Sequence, residues 1–157
     1  MPAQRSSQRR LSHNKLPAFE RNLTIKWTGM PILEDDVKRA MEAWLKAQGY
    51  SEVVVRLGTR QGYDVEAKDP VSGKLLVIEC KGEASTGDQL SRSWPNVAYA
   101  MLTALNETEN PQKTNEVGLA LPDTNEYRDR MFLLQDFCKK QKISVFWVAA
   151  NGQVARW

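Results

Sequence analysis

Histidine is nearly absent from this chain of 157 residues, which contains it only once, at His13. Histidine-dependent triads, histidine-metal nucleases and zinc hydrolases all need an imidazole inside a folded site. A lone histidine in a polar stretch near the start of the chain does not suit that task. The sequence therefore argues against those chemistries and leaves carboxylates, lysine and a hard cation as the groups for any catalysis.

Cysteine and long apolar runs are also scarce. Cys80 and Cys138 adjoin apolar segments and form no Cys-x-x-Cys or Cys/His spacing, which predicts buried free thiols rather than a zinc site or a disulfide. No stretch approaches the roughly 18 consecutive apolar residues of a membrane span, and the N-terminus lacks the apolar segment of a secretion signal. We therefore expect a cytoplasmic protein with no membrane partner.

Positive charge is concentrated at the N-terminus. Residues 1–27 contain six basic residues and one acidic residue, a net charge of +5, and because the whole chain carries +3 the remainder carries −2. The apolar residues of this polar segment recur at no regular spacing. This predicts a flexible basic arm over residues 1–28, followed by one domain over residues 29–157. Such an arm suits a polyanion such as DNA, which Arg5, Arg9 and Arg10 would bind, and it is equally compatible with a solvated leader.

The apolar pattern after the arm predicts alternating helices and strands. A first helix begins near Pro31 and ends at Gly49, and further helices begin at Pro95 and at Pro122. Strands are predicted for residues 51–57, 63–68, 74–81, 115–121 and 143–148. Asn151-Gly152 indicates a hairpin turn before a short tail. The order αβββαβ followed by αβ predicts an α/β fold with a mixed β-sheet flanked by helices.

Two charged residues lie at the end of the apolar third strand. Because side chains alternate between the two faces of a strand, Glu79 and Lys81 lie on one face and Cys80 on the other. Either the strand has emerged into water and these charges are solvated, or Glu79 binds a cation while Lys81 holds or deprotonates water. Asp64 starts the preceding strand, and an antiparallel connection brings that start beside Glu79. Two carboxylates and the main-chain carbonyl of Cys80 make half of the octahedral oxygen shell that Mg²⁺ prefers.

Asp64, followed by fourteen residues and then by Glu79-Cys80-Lys81, resembles the D-x(n)-E-x-K signature of the PD-(D/E)xK nuclease superfamily. The helix, three strands, helix and strand of residues 31–121 resemble its restriction-endonuclease-like core. Tyr63 stands where the name of the family has proline. The resemblance implies that Asp64, Glu79 and the Cys80 carbonyl bind Mg²⁺, which Mn²⁺ can replace, and that Lys81 orients or activates the attacking water.

The resemblance also points to supporting residues. Members of the family often carry a further acid on the first helix, and Glu34 matches this position at the edge of the apolar stripe, where it would equally favour the helix dipole. Gln89 lies where related nucleases place a polar residue near the second helix. Arg92, close to it, is a candidate contact for nucleic-acid phosphate.

The function that these features predict is a DNA endonuclease of the restriction, resolvase or repair type. We expect a homodimer, because one such site cuts one strand of a duplex. Three alternatives stay open: a catalytically idle DNA-binding module or subunit of a nuclease complex, an RNA-directed or mobile-element nuclease, and an unrelated α/β protein. The intact set of Asp, Glu and Lys favours an enzyme, because a module that only binds DNA needs no such cluster of charges.

Overall fold

The structure is a computed structural model that describes residues 30–110 and 112–157. The predicted basic arm, residues 1–28, lies outside the described residues. In chain order, the helices are α1 (Glu34–Ala47), α2 (Gln89–Thr108), α3 (Asn125–Met131) and α4 (Gln135–Lys140). The strands are β1 (Ser51–Val55), β2 (Val65–Lys68), β3 (Leu75–Cys80), β4 (Glu116–Pro122), β5 (Ile143–Val148) and β6 (Val154–Arg156).

The six strands of the described residues form one mixed sheet in the order β1-β2-β3-β4-β5-β6. The first three strands are antiparallel neighbours, β4 and β5 each run parallel to the strand before, and β6 returns antiparallel to β5. Parallel neighbours need a crossover, which α2 supplies before β4 and the α3–α4 segment supplies before β5. The predicted α/β fold with a mixed sheet is therefore confirmed.

Helices cover both faces of this sheet and enclose two cores. The core on one face takes its helical residues from α1, and the other core takes them from α2, α3 and α4. Leu76 and Ile78 of β3 belong to the α1 core, whereas Val77 between them belongs to the opposite core, because successive side chains of a strand point to opposite faces. The apolar run of β3 is thus buried on both sides, as the sequence predicted.

The first helix forms where the apolar stripe predicted it. Val37, Met41 and Leu45 are fully buried, and three acids occupy the first turn of α1, where they suit the positive end of the helix dipole. Gly49 follows the helix with a φ of +85°, a conformation that glycine adopts without steric cost. The helix therefore begins at Glu34, at the positive end of the helix dipole.

The prediction that Pro95 opens the second helix is wrong. The carboxylate of Asp88 accepts hydrogen bonds from the N–H groups of Leu90 at 3.1 Å and Ser91 at 3.2 Å, so a side-chain cap starts α2 at Gln89. Pro95 lies inside the helix. The end of the segment predicted as a loop therefore forms the first turns of α2.

The last third of the chain also departs from the prediction. Pro122 ends β4 instead of opening a helix, and the third predicted helix is divided into α3 and α4 by a 3-10 turn at Phe132–Leu134. The predicted tail forms β6, which pairs with β5 across the turn at Asn151-Gly152. Gly152 has a φ of +78°, which the hairpin turn requires and glycine tolerates.

The predictions for the cysteines and for membrane spans agree with the described residues. Cys80 and Cys138 are both buried free thiols, as expected. Burial is the main reason that the pKa of each thiol is raised. Throughout the part of the chain that the structure describes, each helix is too short or too polar to cross a membrane.

Candidate active site at the ends of two strands

Asp64 and the backbone of Cys80 meet at adjacent ends of β2 and β3. The Cys80 N–H donates a hydrogen bond of 2.8 Å to Oδ2 of Asp64. The antiparallel register pairs Val65 with Ile78, which puts the start of β2 beside the end of β3. Because the N–H and the carbonyl of one residue point to the same side of a strand, the Cys80 carbonyl also points toward the edge where Asp64 lies.

Glu79 and Lys81 form a close pair at the same end of β3. Nζ of Lys81 lies 2.7 Å from Oε1 of Glu79, and each side chain is only 14% exposed. The low exposure argues against full solvation of these charges, whereas their pairing is compatible with a structural ion pair. Burial raises the pKa of Glu79 and outweighs the opposing effect of Lys81.

Lys81 is held as an ammonium by the same pair. Burial lowers the pKa of Lys81, but the hydrogen bond with Glu79 and the negative charges of Glu79, Glu34 and Asp64 outweigh burial and raise the pKa above its ordinary value. The two roles predicted for Lys81, holding water and deprotonating it, both stay predictions.

Glu34 reaches the strand ends from the first turn of α1. Its Oε2 lies 3.7 Å from Nζ of Lys81, and its Oε1 lies 2.8 Å from Nζ of Lys38. Lys38 in turn contacts Oδ1 of Asp64 at 2.7 Å and is 1% exposed. We call Glu34, Lys38, Asp64, Glu79 and Lys81 the charged cluster. The four side chains predicted to act together, Glu34, Asp64, Glu79 and Lys81, are thus brought together. Lys38 links Glu34 to Asp64, and Lys81 links Glu34 to Glu79.

Lys38 is a member of the charged cluster that the sequence analysis missed. Burial lowers the pKa of Lys38, but its hydrogen bonds with Asp64 and Glu34 outweigh burial and hold the pKa above the ordinary value. The signal was present in the sequence, since Lys38 follows Glu34 by four residues and adjoins the apolar stripe of α1 at Val37. A lysine within an apolar helical stripe needs a buried partner.

Close packing around Gly82 brings α1 to the end of β3. A Cβ atom at Gly82 would lie 2.1 Å from the backbone N of Glu34. The backbone N–H of Glu83 donates to the Ile32 carbonyl at 2.7 Å, and the Ile32 N–H donates to the Glu83 carboxylate at 2.7 Å. On the other side, the hydroxyl of buried Tyr127 donates to the Gly82 carbonyl at 2.6 Å. The position of Glu34 therefore depends on the absence of a side chain at Gly82.

Of the residues predicted to contact nucleic acid, Gln89 and Arg92 belong to the described part of the chain. Gln89 bonds the backbone N–H and carbonyl of Ala84 at 3.0 and 2.7 Å and so braces the loop before α2. Arg92 is exposed. Arg5, Arg9 and Arg10 lie outside the described residues.

An aromatic side chain that was not predicted borders the charged cluster. The ring centroid of Tyr99, on α2, lies 4.8 Å from Nζ of Lys81, within the distance of a cation–π contact. Tyr99 is 61% exposed, so it combines a contact with Lys81 and access to solvent. Its position on the polar side of α2 gave no signal in the sequence.

The carboxylates of the charged cluster are candidate donors for a metal ion. Over residues 30–110 and 112–157, no group of three or more His, Cys, Asp or Glu residues is arranged to hold a metal ion. Asp64 and Glu79 each already contact an ammonium, yet a carboxylate has about four lone-pair sites and retains capacity for a further ligand. Asp64, Glu79 and the Cys80 carbonyl are oxygen donors of the kind that Mg²⁺ and Mn²⁺ prefer.

Comparisons of the chain with models of protein families, with curated proteins and with solved structures give no match. The function is therefore inferred from the motif, the order of the elements and the geometry of the charged cluster.

Proposed function

We propose that this protein is a metal-dependent nuclease that hydrolyses phosphodiester bonds in DNA. The observation that carries the proposal is the convergence of Asp64, the Cys80 backbone, Glu79 and Lys81 at adjacent ends of β2 and β3. Two carboxylates at one edge of a sheet could hold a cation, and a neighbouring amine could position water, for hydrolysis of a phosphodiester.

The order of the elements supports a restriction-endonuclease-like core. In such a core, α1 is followed by the antiparallel strands β1, β2 and β3, then by α2 and by β4 parallel to β3, which is the order found here. The later α3, α4, β5 and β6 are an extension of this core. The proposal thus rests on a motif, on the element order that carries the motif, and on the contacts that the motif residues make.

Each residue of the charged cluster has a role under this proposal. A bound Mg²⁺ would neutralise charge on the phosphate and lower the pKa of a coordinated water. Asp64, Glu79 and the Cys80 carbonyl would hold that ion. The Lys81 ammonium would donate a hydrogen bond to the attacking water and stabilise the negative charge that develops on the phosphate oxygens.

A catalytically idle DNA-binding module is the second candidate, and one observation favours it. Glu34, Asp64 and Glu79 are each paired with Lys38 or Lys81, so the charged cluster forms a connected ion network without any metal. Such a network needs no catalytic explanation if its only task is to hold α1 against the sheet. The two candidates differ in what happens when single charges are removed.

The test compares Glu79→Gln and Lys81→Met with the full-length wild type. Plasmid, four-way junction and single-stranded DNA are incubated with Mg²⁺, with Mn²⁺ and with a chelator, and binding is measured in parallel. The matched controls are Glu116→Gln and Lys68→Met. Glu116 lies at the opposite end of β4, where it accepts a hydrogen bond from Ser72, and Lys68 makes an exposed pair with Glu52.

Under the nuclease proposal, Glu79→Gln loses cleavage, Lys81→Met loses about 10²-fold or more, and both variants still bind DNA. Both controls keep the wild-type rate, and the chelator stops cleavage. Cleavage by folded Glu79→Gln at the wild-type rate would refute the assignment of the site. Wild type that binds DNA but cuts no substrate with either metal would favour the idle module.

A further inference from the structure

Lys38 is a fully buried lysine shared by two carboxylates from different elements. Its side chain is 1% exposed, and its Nζ lies 2.8 Å from Oε1 of Glu34 and 2.7 Å from Oδ1 of Asp64. An unpaired buried ammonium costs several kcal/mol, about as much as the folding of a small domain can tolerate. The Lys38 ammonium is therefore compensated by two carboxylates, Glu34 on α1 and Asp64 beside β2.

The ammonium occupies the place that a cation bridging Glu34 and Asp64 would take. Asp64 presents Oδ1 to Lys38 and Oδ2 to the Cys80 N–H, which fixes the plane of its carboxylate. A second divalent ion bound by Glu34 and Asp64 would require the Lys38 side chain to leave a position at which it is fully buried. The contact thus fixes Asp64 and blocks the space beside it.

The charge balance of the charged cluster agrees with a single cation. Three carboxylates and two ammonium groups carry a net charge of −1. One divalent ion changes this to +1, which attracts a phosphodiester and matches its single negative charge. Two divalent ions beside a retained Lys38 would give +3, in a region where the side chains of Lys38, Asp64 and Glu79 are at most 14% exposed and that of Glu34 is 39% exposed, and uncompensated charge at buried sites is unfavourable.

We propose that Lys38 acts as a built-in cation that positions Asp64 and Glu34 and restricts the charged cluster to one divalent metal ion. This inference rests on the proposed metal-dependent function and specifies its metal requirement. Lys38 is a positioning residue here, since it contacts the proposed metal ligand and not the reacting atoms. Metal binding is therefore the direct readout.

The experiment measures the stoichiometry of Mn²⁺ on the full chain by isothermal titration calorimetry. Wild type is expected to bind one ion, and Lys38→Met, which keeps the apolar stem and removes the charge, is expected to bind two. The double variant Lys38→Met/Glu34→Gln should return to one ion, because the second ion needs the Glu34 carboxylate. Lys46→Met is the control, since Lys46 forms an exposed pair with Glu42 on the same helix, and it should bind one ion.

Thermal unfolding keeps the inference testable if Lys38→Met is unstable. Without metal this variant should unfold at a lower temperature than wild type, and Mn²⁺ should raise its transition temperature by more than it raises that of wild type, because the ion replaces the lost ammonium. Two ions on wild type, or one ion on both wild type and Lys38→Met, would overturn the role of Lys38 and leave the nuclease proposal intact. No ion on wild type would overturn both.

Discussion

Replacing Gly82 by alanine tests the packing that brings α1 to the strand ends. The added Cβ would lie 2.1 Å from the Glu34 N and 2.5 Å from the carbonyl carbon of Leu33, and both are backbone atoms that cannot rotate away. Overpacking of this kind costs about 3 kcal/mol or more, which corresponds to a fall of roughly 10 °C in the transition temperature of a domain of this size. Because Glu34 moves with the backbone of α1, Gly82→Ala should also weaken any activity of the charged cluster.

Urea unfolding followed by circular dichroism measures this effect, with Gly73→Ala as the control. Gly73 has a φ of +68°, and an added Cβ there would meet no atom within 4 Å, so its substitution carries only the strain of the left-handed conformation, about 1 kcal/mol. The free energy of unfolding should fall clearly more in Gly82→Ala than in Gly73→Ala. Equal losses in the two variants would show that the N-terminus of α1 does not pack against Gly82 as described.

Three further predictions concern other parts of the chain. Burial raises the pKa of Glu107, but hydrogen bonds from Lys113, Tyr63 and Asn115 outweigh it and leave the pKa below 4.5. The stability that Glu107 contributes is therefore present above pH 4.5 and lost as pH falls through the lowered pKa. Urea unfolding should show the advantage of wild type over Glu107→Gln shrinking below pH 4.5, and an advantage that grows as pH falls would contradict this. Deleting residues 1–24 should weaken DNA binding and flatten its salt dependence, and an unchanged slope would show that the basic arm makes no phosphate contacts. Light scattering should detect a dimer with or without DNA, and a monomer under both conditions would refute self-association.

The fold was predictable where one apolar pattern extended over a whole element. The stripe of α1, the apolar run of β3 and the β-branched and aromatic run of β5 each predicted an element that the structure contains. The start of α2 was not predictable from Pro95, because a side-chain cap at Asp88 decides it. β6 was missed because a run of only three residues is too short to show a strand pattern, and it forms a strand by pairing with β5, which is a tertiary effect.

Only the part of the charged cluster that depends on strand geometry was predictable from the sequence. Period two and antiparallel pairing were sufficient to bring Asp64, Glu79 and Lys81 to one edge of the sheet. They could not show that Lys81 is paired and largely buried, because that depends on how α2 and α1 cover the strand end. The position of Lys38 in the apolar stripe of α1 indicated a buried partner, but which residue that partner is depends on the tertiary fold, because Asp64 belongs to a different element.

Energetic reasoning favours a functional origin for the charged cluster over a purely structural one. Replacing a buried ion network by apolar side chains of similar volume is often neutral or stabilising, so stability alone does not require these charges at this position. The neighbouring positions of β2 and β3, such as Val65, Ile78 and Cys80, are fully buried and apolar, and an apolar strand end was therefore available to the same fold. The charged cluster instead combines the net charge, the oxygen donors and the ammonium that binding of a metal ion and a phosphodiester would use. The proposed single-ion nuclease would use all three features, whereas a purely structural role would use only the pairing of the charges.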